Sequence, residues 1–335
     1  MSHKNKGLYG ILLSGAIATG AYLINHYIPT DLLGSAVIAL LIGMLLNPII
    51  SQSDLYEDGI NWTSKYVLRA GIIVAGVTLS FGQLVEAGKY ALILLFFTLI
   101  TAFGVGYLCH KLFKINWKLS SLLAVSTAIC GGTAVATVGP TIRAKNRDIA
   151  YAISATFLFD VLTVIAFPYI GQMLGLSDTG YGLWVGTAIN DTSSVVAAGY
   201  AFSDAAGVLA TIVKLTRTLF IVPIVLIFSW VYAKKEASVD SREKVNIKDI
   251  FPWFILGFLA VVAFRTVGII PDSMVSPISA LSKFFLAMAL GAIGLKTSLK
   301  EVSGVGIKPM VAAVVIDLSV VIVALVAQGL ILQYL

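Results

Sequence analysis

Apolar runs about as long as a bilayer's hydrocarbon core is thick recur from one end of the chain to the other, and no other feature restricts its fold so strongly. A helix needs about 20 predominantly apolar residues to cross that layer. Runs of that order fall near residues 8–26, 32–50, 65–84, 89–110, 119–141, 148–171, 181–202, 207–232, 251–268, 274–295 and 309–333. The 335 residues are 58% hydrophobic and 12% charged, with a mean hydropathy of +0.94, against roughly 45–50% apolar and about 25% charged in a soluble domain. One globule of this length could not bury so much apolar surface, and lipid removes the penalty for exposing it. The expected fold is therefore an all-α polytopic membrane protein of about eleven membrane segments, forming one integral membrane domain over 1–335. A soluble enzyme is excluded.

Charge orients the segments. The 23 Lys and Arg against 17 Asp and Glu give a formal +6, but the basic residues are scattered between runs rather than gathered on one element, which argues against nucleic-acid binding. Short loops rich in Lys and Arg stay in the cytoplasm. Lys111, Lys114 and Lys118 precede the fifth run and Arg143, Lys145 and Arg147 follow it, so this run is expected to enter from the cytoplasm and return. The seventh run is flanked by Asp178 and Asp204 with no Lys or Arg and is expected to enter from outside. On that topology 18 of the 23 basic residues lie inside, while Lys89, Arg265 and Lys283 fall near the outer boundary and Lys214 and Arg217 within the membrane. The N-terminus is then cytoplasmic, the C-terminus outside, and the polar loop 233–249 joins two halves on the cytoplasmic side of the cell membrane. Trp62, Trp117, Trp230 and Trp253 are expected at the inner boundary and Trp184 at the outer one. The first run follows Lys4 and Lys6 without a convincing small-residue cleavage site, and reads as a retained helix.

The fifth and seventh runs differ from the rest. Ser126-Thr-Ala-Ile-Cys-Gly-Gly-Thr-Ala-Val-Ala-Thr-Val-Gly139 and Gly186-Thr-Ala-Ile-Asn-Asp-Thr-Ser-Ser-Val-Val-Ala-Ala-Gly199 are rich in Gly, Thr and Ser, as broken helices would be. Slid by 60 residues they match at Thr127/Thr187, Ala128/Ala188, Ile129/Ile189, Val135/Val195 and Gly139/Gly199, which suggests a repeated hairpin-plus-helix unit. A weaker echo pairs Gly76, Ser80 and Gly88 with Gly294, Ser298 and Gly306. Together these point to inverted repeats. Non-helical backbone at membrane depth persists where it is buried in protein or lines a watery cavity, and half-helices aim their N-termini at anionic substrates. The two expected tips are Cys130-Gly131-Gly132-Thr133 and Asn190-Asp191-Thr192-Ser193-Ser194. Close helix packing by small residues is the plainer alternative.

Four ionisable residues sit inside runs, where they usually face the protein interior and do work: Asp160, Lys214, Arg217 and Asp317. Lys214 and Arg217 are three apart and share one helix face, so they either present two positive charges to an oxyanion or are neutralised by Asp160 or Asp191. Asp160 reads as the carrier of a coupled proton or as the counter-ion of Arg217. Asp191, with Asn190 and the tip hydroxyls, could ligate a cation through oxygen. Asp317 has no neighbouring motif and reads as a packing or pairing residue, as Cys109 and Cys130 read as packing residues. There is no H-E-x-x-H, no G-x-S-x-G, no P-loop and no G-x-G-x-x-G opening a helix, and the three His lie at or near segment ends. No enzyme activity, metal or cofactor is expected.

Thr127-Ala-Ile-Cys-Gly-Gly132, Gly182-Leu-Trp-Val-Gly-Thr-Ala-Ile-Asn-Asp-Thr-Ser-Ser-Val-Val-Ala-Ala-Gly199 and Ala210-Thr-Ile-Val-Lys-Leu-Thr-Arg217 resemble the sulfate exporter family, the YeiH-like inner-membrane proteins of bacteria, over about residues 30–335. In that family His is common at the position of Asn190 and Asn at that of Asp160, so the chain departs from it there. The family is similar to the cation:proton antiporter and anion transporter superfamily, and the resemblance implies inverted repeats, discontinuous helices and a sulfate- or sulfonate-related anion as cargo. The expected function is secondary transport of a small anion by alternating access, at a site comprising Cys130, Gly131, Gly132, Thr133, Asn190, Asp191, Thr192, Ser193, Ser194, Lys214 and Arg217. Asp160 and Asp191 are candidates for coupling H+ or Na+ or for charge pairing. The competing expectations are a Na+- or H+-coupled cation transporter or antiporter built around Asp160 and Asp191, and a passive anion channel. The lipid bilayer and a small anionic solute are the expected partners, with a homodimer as the candidate assembly.

Overall fold

A computed structural model describes residues 3–27, 35–53, 55–235, 253–296 and 307–333. Among them the chain is helical throughout, with no strand. Six helices are long and apolar enough to cross a membrane, over Gly7–Asn25, Leu84–Phe113, Arg147–Met173, Asp204–Lys234, Asp272–Lys296 and Lys308–Gln333, and two shorter apolar helices cover Ser35–Ile50 and Phe254–Thr266. Bulky apolar side chains point outward on several of them, among them Leu45, Phe96, Leu112 and Ile322, which is the pattern expected where lipid replaces water. The loop assigned to 233–249 lies almost wholly outside the described residues, as do Arg242, Lys244, Lys248, Ser298, Lys300 and Gly306.

The helices fall into two bundles. The first comprises α1 (His3–Tyr27), α2 (Ser35–Ile50), α3 (Glu57–Trp62), α4 (Leu68–Ala75), α13 (Phe254–Thr266) and α14 (Asp272–Lys296). A π-helical turn over Thr63–Val67 joins α3 to α4. At its centre α2 and α14 approach so closely that a methyl group on Gly43 would strike the Gly291 carbonyl and one on Gly294 the Leu40 carbonyl. Small residues let backbones meet in this way where lipid offers no hydrophobic drive for association. Asn47 Nδ2 fastens the same pair by donating to Leu295 O at 2.7 Å.

The second bundle comprises α5 (Phe81–Phe113), α6 (Trp117–Ala128), α7 (Gly132–Thr141), α8 (Asn146–Met173), α9 (Asp178–Ala188), α10 (Thr192–Phe202), α11 (Asp204–Leu219), α12 (Ile221–Lys235) and α15 (Ile307–Gln333). Pro223 lacks the N–H that would continue the ladder from α11, and the chain breaks at Phe220 between α11 and α12. The bundles meet where Ala36, Val37, Leu40 and Leu290 pack with Val164, Ala197 and Ala201, and where Ile72, Phe258 and Leu286 pack with Val196, Ile212 and Leu215.

Two sequence-based boundaries are corrected. The third and fourth runs turn at Leu79–Ser80 rather than between 84 and 89, so Glu86 and Lys89 lie within α5. The 33 residues of α5 reach about 50 Å at 1.5 Å per residue, against a hydrocarbon thickness of about 30 Å, which leaves its first turns free to carry charge. Trp184 is not at a surface boundary: it is 1% exposed, lies flat on Phe167 with ring centroids 4.5 Å apart, and donates from Nε1 to Val321 O at 3.1 Å. Trp62, Trp230 and Trp253 are exposed.

Candidate functional site

Each Gly/Thr/Ser-rich run folds as a helical hairpin. In the first, Asn116 caps α6 by accepting from Lys118 N at 3.0 Å, and at the far end Lys118 Nζ donates to Arg143 O at 3.3 Å, so the start of α6 and the end of α7 lie side by side. In the second, Ser203 follows α10 and its hydroxyl donates to Asp178 Oδ1 at the start of α9, at 2.7 Å. Tyr181 of α9 stacks on Phe202 of α10, centroids 3.9 Å apart. The hairpins approach each other from opposite ends of the bundle. Along α15, Asp317 touches Thr127 and Asn190 at the tips, Val321 meets Trp184, and Gln328 lies beside Gly180 near the base of the second hairpin. The base of the first hairpin lies instead beside Tyr232, the end of α12, whose ring is 5.0 Å from Lys118 Nζ.

The tips meet. Between α6 and α7 the chain turns through Ile129, Cys130 and Gly131, and Gly131 has φ +65 and ψ −133, a backbone conformation open to glycine and strained for other residues. A Cβ there would lie 3.4–3.5 Å from the backbone of Asn190 and Asp191. Between α9 and α10 the break falls at Ile189–Asp191, where extended backbone leads into α10 and Asp191 caps it by accepting from Ser193 N at 2.8 Å. The Ser193 hydroxyl also donates to Asp191 Oδ2.

Breaking two helices leaves four helix ends at this depth, each with unpaired backbone groups. The two C-terminal ends are served by cations from α11, which suits the partial negative charge there. Lys214 Nζ donates to Ile129 O at 2.8 Å and Ile189 O at 3.1 Å. Arg217 Nε donates to Ala128 O at 2.7 Å, and its Nη1 to Thr187 O at 2.5 Å and Ile189 O at 3.3 Å. Lys214 is 0% and Arg217 1% exposed. Among the described residues no carboxylate lies within 4.0 Å of either cation, so the expected ion pairs with Asp160 or Asp191 are not formed. Asp160 instead receives the exposed backbone of the second break: its Oδ1 accepts from Asn190 N at 2.9 Å and its Oδ2 from Asp191 N at 3.0 Å.

The two N-terminal ends differ. That of α10 is occupied by its own Asp191, whereas α7 begins at Gly131 with no side-chain cap. Gly132 is half-buried and Thr133 exposed at that end, and on the other hairpin Asp191, Thr192 and Ser194 are half-buried while Ser193, Asn190 and Cys130 are buried. All eleven expected site residues therefore come from two tips and the helix that clasps them. Two polar atoms in this centre lack partners among the described residues: Arg217 Nη2 and Asn190 Oδ1. Asp317, expected to be a packing or pairing residue, is at the centre as well, its Oδ1 accepting from Thr127 Oγ1 at 2.5 Å and Asn190 Nδ2 at 3.0 Å. The available signal was its position as the lone carboxylate of a long apolar helix. Among the described residues no group of His, Cys, Asp and Glu has the arrangement of a metal site.

A cavity of about 480 Å³ separates the bundles on the side of the second hairpin's base. Glu86, Tyr90, Tyr200, Ile212, Asp204 and Lys283 help to line it. Lys283 Nζ of α14 pairs across it with Asp204 Oδ2 of α11 at 2.5 Å, so this pair ties the two bundles together.

Residues 9–313 match the family described as conserved hypothetical protein 698. The chain is 54% identical over 330 residues to a UPF0324 membrane protein of Clostridium tetani, covering 95% of this chain and 96% of the relative. It is 37% identical over 329 residues to a UPF0324 membrane protein of Streptococcus agalactiae, covering 96% of each, and 38% identical over 316 residues to one of Streptococcus mutans, covering 91% and 92%. These names specify a membrane protein and no cargo.

Proposed function

The chain belongs to the UPF0324 membrane proteins, the family described as conserved hypothetical protein 698, and from that premise we propose that it is a secondary transporter of a small anion. The observation that carries the reading is the junction of the hairpin tips: an α7 N-terminus with no capping side chain beside a buried Arg217 whose Nη2 has no partner. A helix N-terminus with free amides favours an anion, and the planar guanidinium remains charged and forks onto carboxylate- or sulfate-like oxygens. Gly132 and Thr133 then supply amides and a hydroxyl, and Arg217 supplies charge. Sulfate, a sulfonate or a small organic anion fits this chemistry.

In this reading the hairpins are re-entrant, the Lys- and Arg-rich base of the first faces the cytoplasm, and the units α6–α8 and α9–α11 are inverted repeats. The bundles rock about the tips to open each side in turn, with the cavity at Lys283 and Asp204 as the outer approach. A cation-coupled reading has its own support in the three carboxylates Asp160, Asp191 and Asp317 near the same tips. If Asp160→Asn and Asp191→Asn leave ion dependence unchanged, that version is rejected.

The test is binding. A ligand held by the native state stabilises it by about 2.7 kcal/mol at 100 times its Kd, so thermal unfolding of the purified protein with sulfate, sulfite, sulfonates and dicarboxylates identifies an anion. Thr133→Val, an exposed position, is expected to fold normally and to lose most of the shift. A wild-type protein that none of these anions stabilises, or a shift that survives both Thr133→Val and Arg217→Gln, contradicts the assignment.

A further inference from the structure

We propose that Asp317 is the proton carrier of this transporter, a role that rests on the transport reading and assigns its coupling. Its Oδ1 is where the two hairpins are held to α15: Thr127 Oγ1 of the first tip and Asn190 Nδ2 of the second both donate to that one atom. The partner that matters is Thr127, because its hydroxyl also lies 3.2 Å from Leu123 O. One hydroxyl hydrogen faces two acceptors, and which one receives it depends on Asp317. With the carboxylate ionised, Thr127 donates to Asp317. When a proton joins Oδ1, the new O–H donates to Thr127 Oγ1, and Thr127 turns its own hydrogen to Leu123 O. Asp317 Oδ1 and Thr127 Oγ1 each keep a partner in both states, so the proton is stored without the cost of about 1–3 kcal/mol for stranding either of them.

The neighbouring carboxylates have no such freedom. Both oxygens of Asp160 accept from backbone amides, which cannot become acceptors, and a proton on either oxygen would oppose an N–H. Asp191 Oδ2 accepts from Ser193 N and from the Ser193 hydroxyl, for which no second acceptor is present among the described residues. Of the three, Asp317 alone has a hydroxyl partner with a second acceptor already in reach. Protonation also changes what holds the tips, because the Asn190 contact falls from a charge-assisted hydrogen bond to a neutral one, roughly half as strong. Asn190 Oδ1 is unpartnered and buried, so this side-chain amide has no other anchor, and the second tip loosens from α15 while Asp160 and the α11 cations still hold its backbone. The charged groups acting directly on Asp317 are Arg217 from α11 and Asp160 from α8; Asp191 of the second hairpin, Lys214 of α11 and Cys130 of the first hairpin join the same cluster through Asp160 and Lys214. On α5 nothing between Tyr90 and Tyr107 titrates.

Two measurements on reconstituted full-length protein test this. In pH-difference infrared spectra, the protonated-carboxyl C=O signal that grows as pH falls is expected to lose one component in Asp317→Asn relative to wild type, and to keep that component in Asp160→Asn. Spectra of Asp317→Asn that superimpose on those of wild type overturn the proposal. In proteoliposomes, the ratio of accumulation driven by an imposed pH gradient to counterflow of labelled sulfate is expected to fall at least tenfold in Asp317→Asn relative to wild type. An unchanged ratio overturns it. Should Asp317→Asn fail to fold, Thr127→Val must move the midpoint of the infrared titration by about one pH unit, and an unmoved midpoint overturns the proposal. A wild type without any counterflow defeats the transport reading, while the infrared titration still decides whether Asp317 carries a proton.

Discussion

Gly131 and the Lys214–Arg217 pair carry most of the local stress of breaking two helices. The positive φ of Gly131 makes Gly131→Ala costly by roughly 1–3 kcal/mol; thermal unfolding in detergent should fall by several degrees, and an unchanged midpoint would show that the turn is not held in this conformation. Lys214→Met keeps length and apolar stem but removes the donor to Ile129 O and Ile189 O. Ile189 O keeps the longer bond from Arg217, but Ile129 O is left bare at a cost of about 1–3 kcal/mol, so this variant should be destabilised more than a methionine at exposed Lys145. If Lys214→Met instead stabilises the protein, the carbonyls are not what the ammonium serves. The positions of Lys214 and Arg217 on one helix face could be read from their spacing, but their partners could not. The sequence offered an oxyanion or the carboxylates of Asp160 and Asp191 as partners, whereas the cations bind carbonyls that become available only because α6 and α9 end where they do.

At the scale of elements, the hairpins were the most legible feature. Gly, Ser and Thr in runs otherwise suited to spanning, with basic residues on both flanks of one and neither flank of the other, agree with chains that turn back, and the structure adds caps at Asn116, Ser177 and Ser203 that the sequence reading did not use. In a background lacking Cys109 and Cys130, cysteines at Lys118 and Lys145 should react with an impermeant reagent from one face of the membrane, and cysteines at Asp178 and Ala205 from the other. Labelling of 118 and 145 from opposite faces would mean that the fifth run spans. The boundary between α4 and α5 was less legible, because Glu86 and Lys89 look like a loop in sequence and become helix only when α5 outgrows the hydrocarbon. Trp184 misled for a related reason: an indole is at home at an interface and equally at home in a core where its N–H finds a carbonyl. Gly294→Leu, which would drive a side chain into α2 at Leu40 O and Met44 N, should cost upwards of about 1–3 kcal/mol and lower expression of folded protein. Normal expression and stability would mean that α2 and α14 tolerate separation.

For the whole molecule, apolar runs announce a membrane protein, and charge sorts their flanks, but neither predicts that the helices divide into two bundles. That division depends on which small residues face each other, as Gly43 and Gly294 do, and on the sparse apolar contact left between α10 and the first bundle. The ion pair of Lys283 with Asp204 is one of the ties across the cavity, and as an exposed pair it contributes on the order of 0–1 kcal/mol, little enough to break in each cycle of the proposed transport. A carrier that rocks about its hairpin tips exposes one occupied site at a time, whereas a pore would be open to both sides at once. Counterflow distinguishes them most directly. Proteoliposomes loaded with excess unlabelled anion, chosen as the one that stabilises the purified protein most, should take up the labelled anion transiently above equilibrium, with saturable initial rates, and Arg217→Gln should abolish the overshoot. Uptake that rises to equilibrium without overshoot and without saturation would contradict the account.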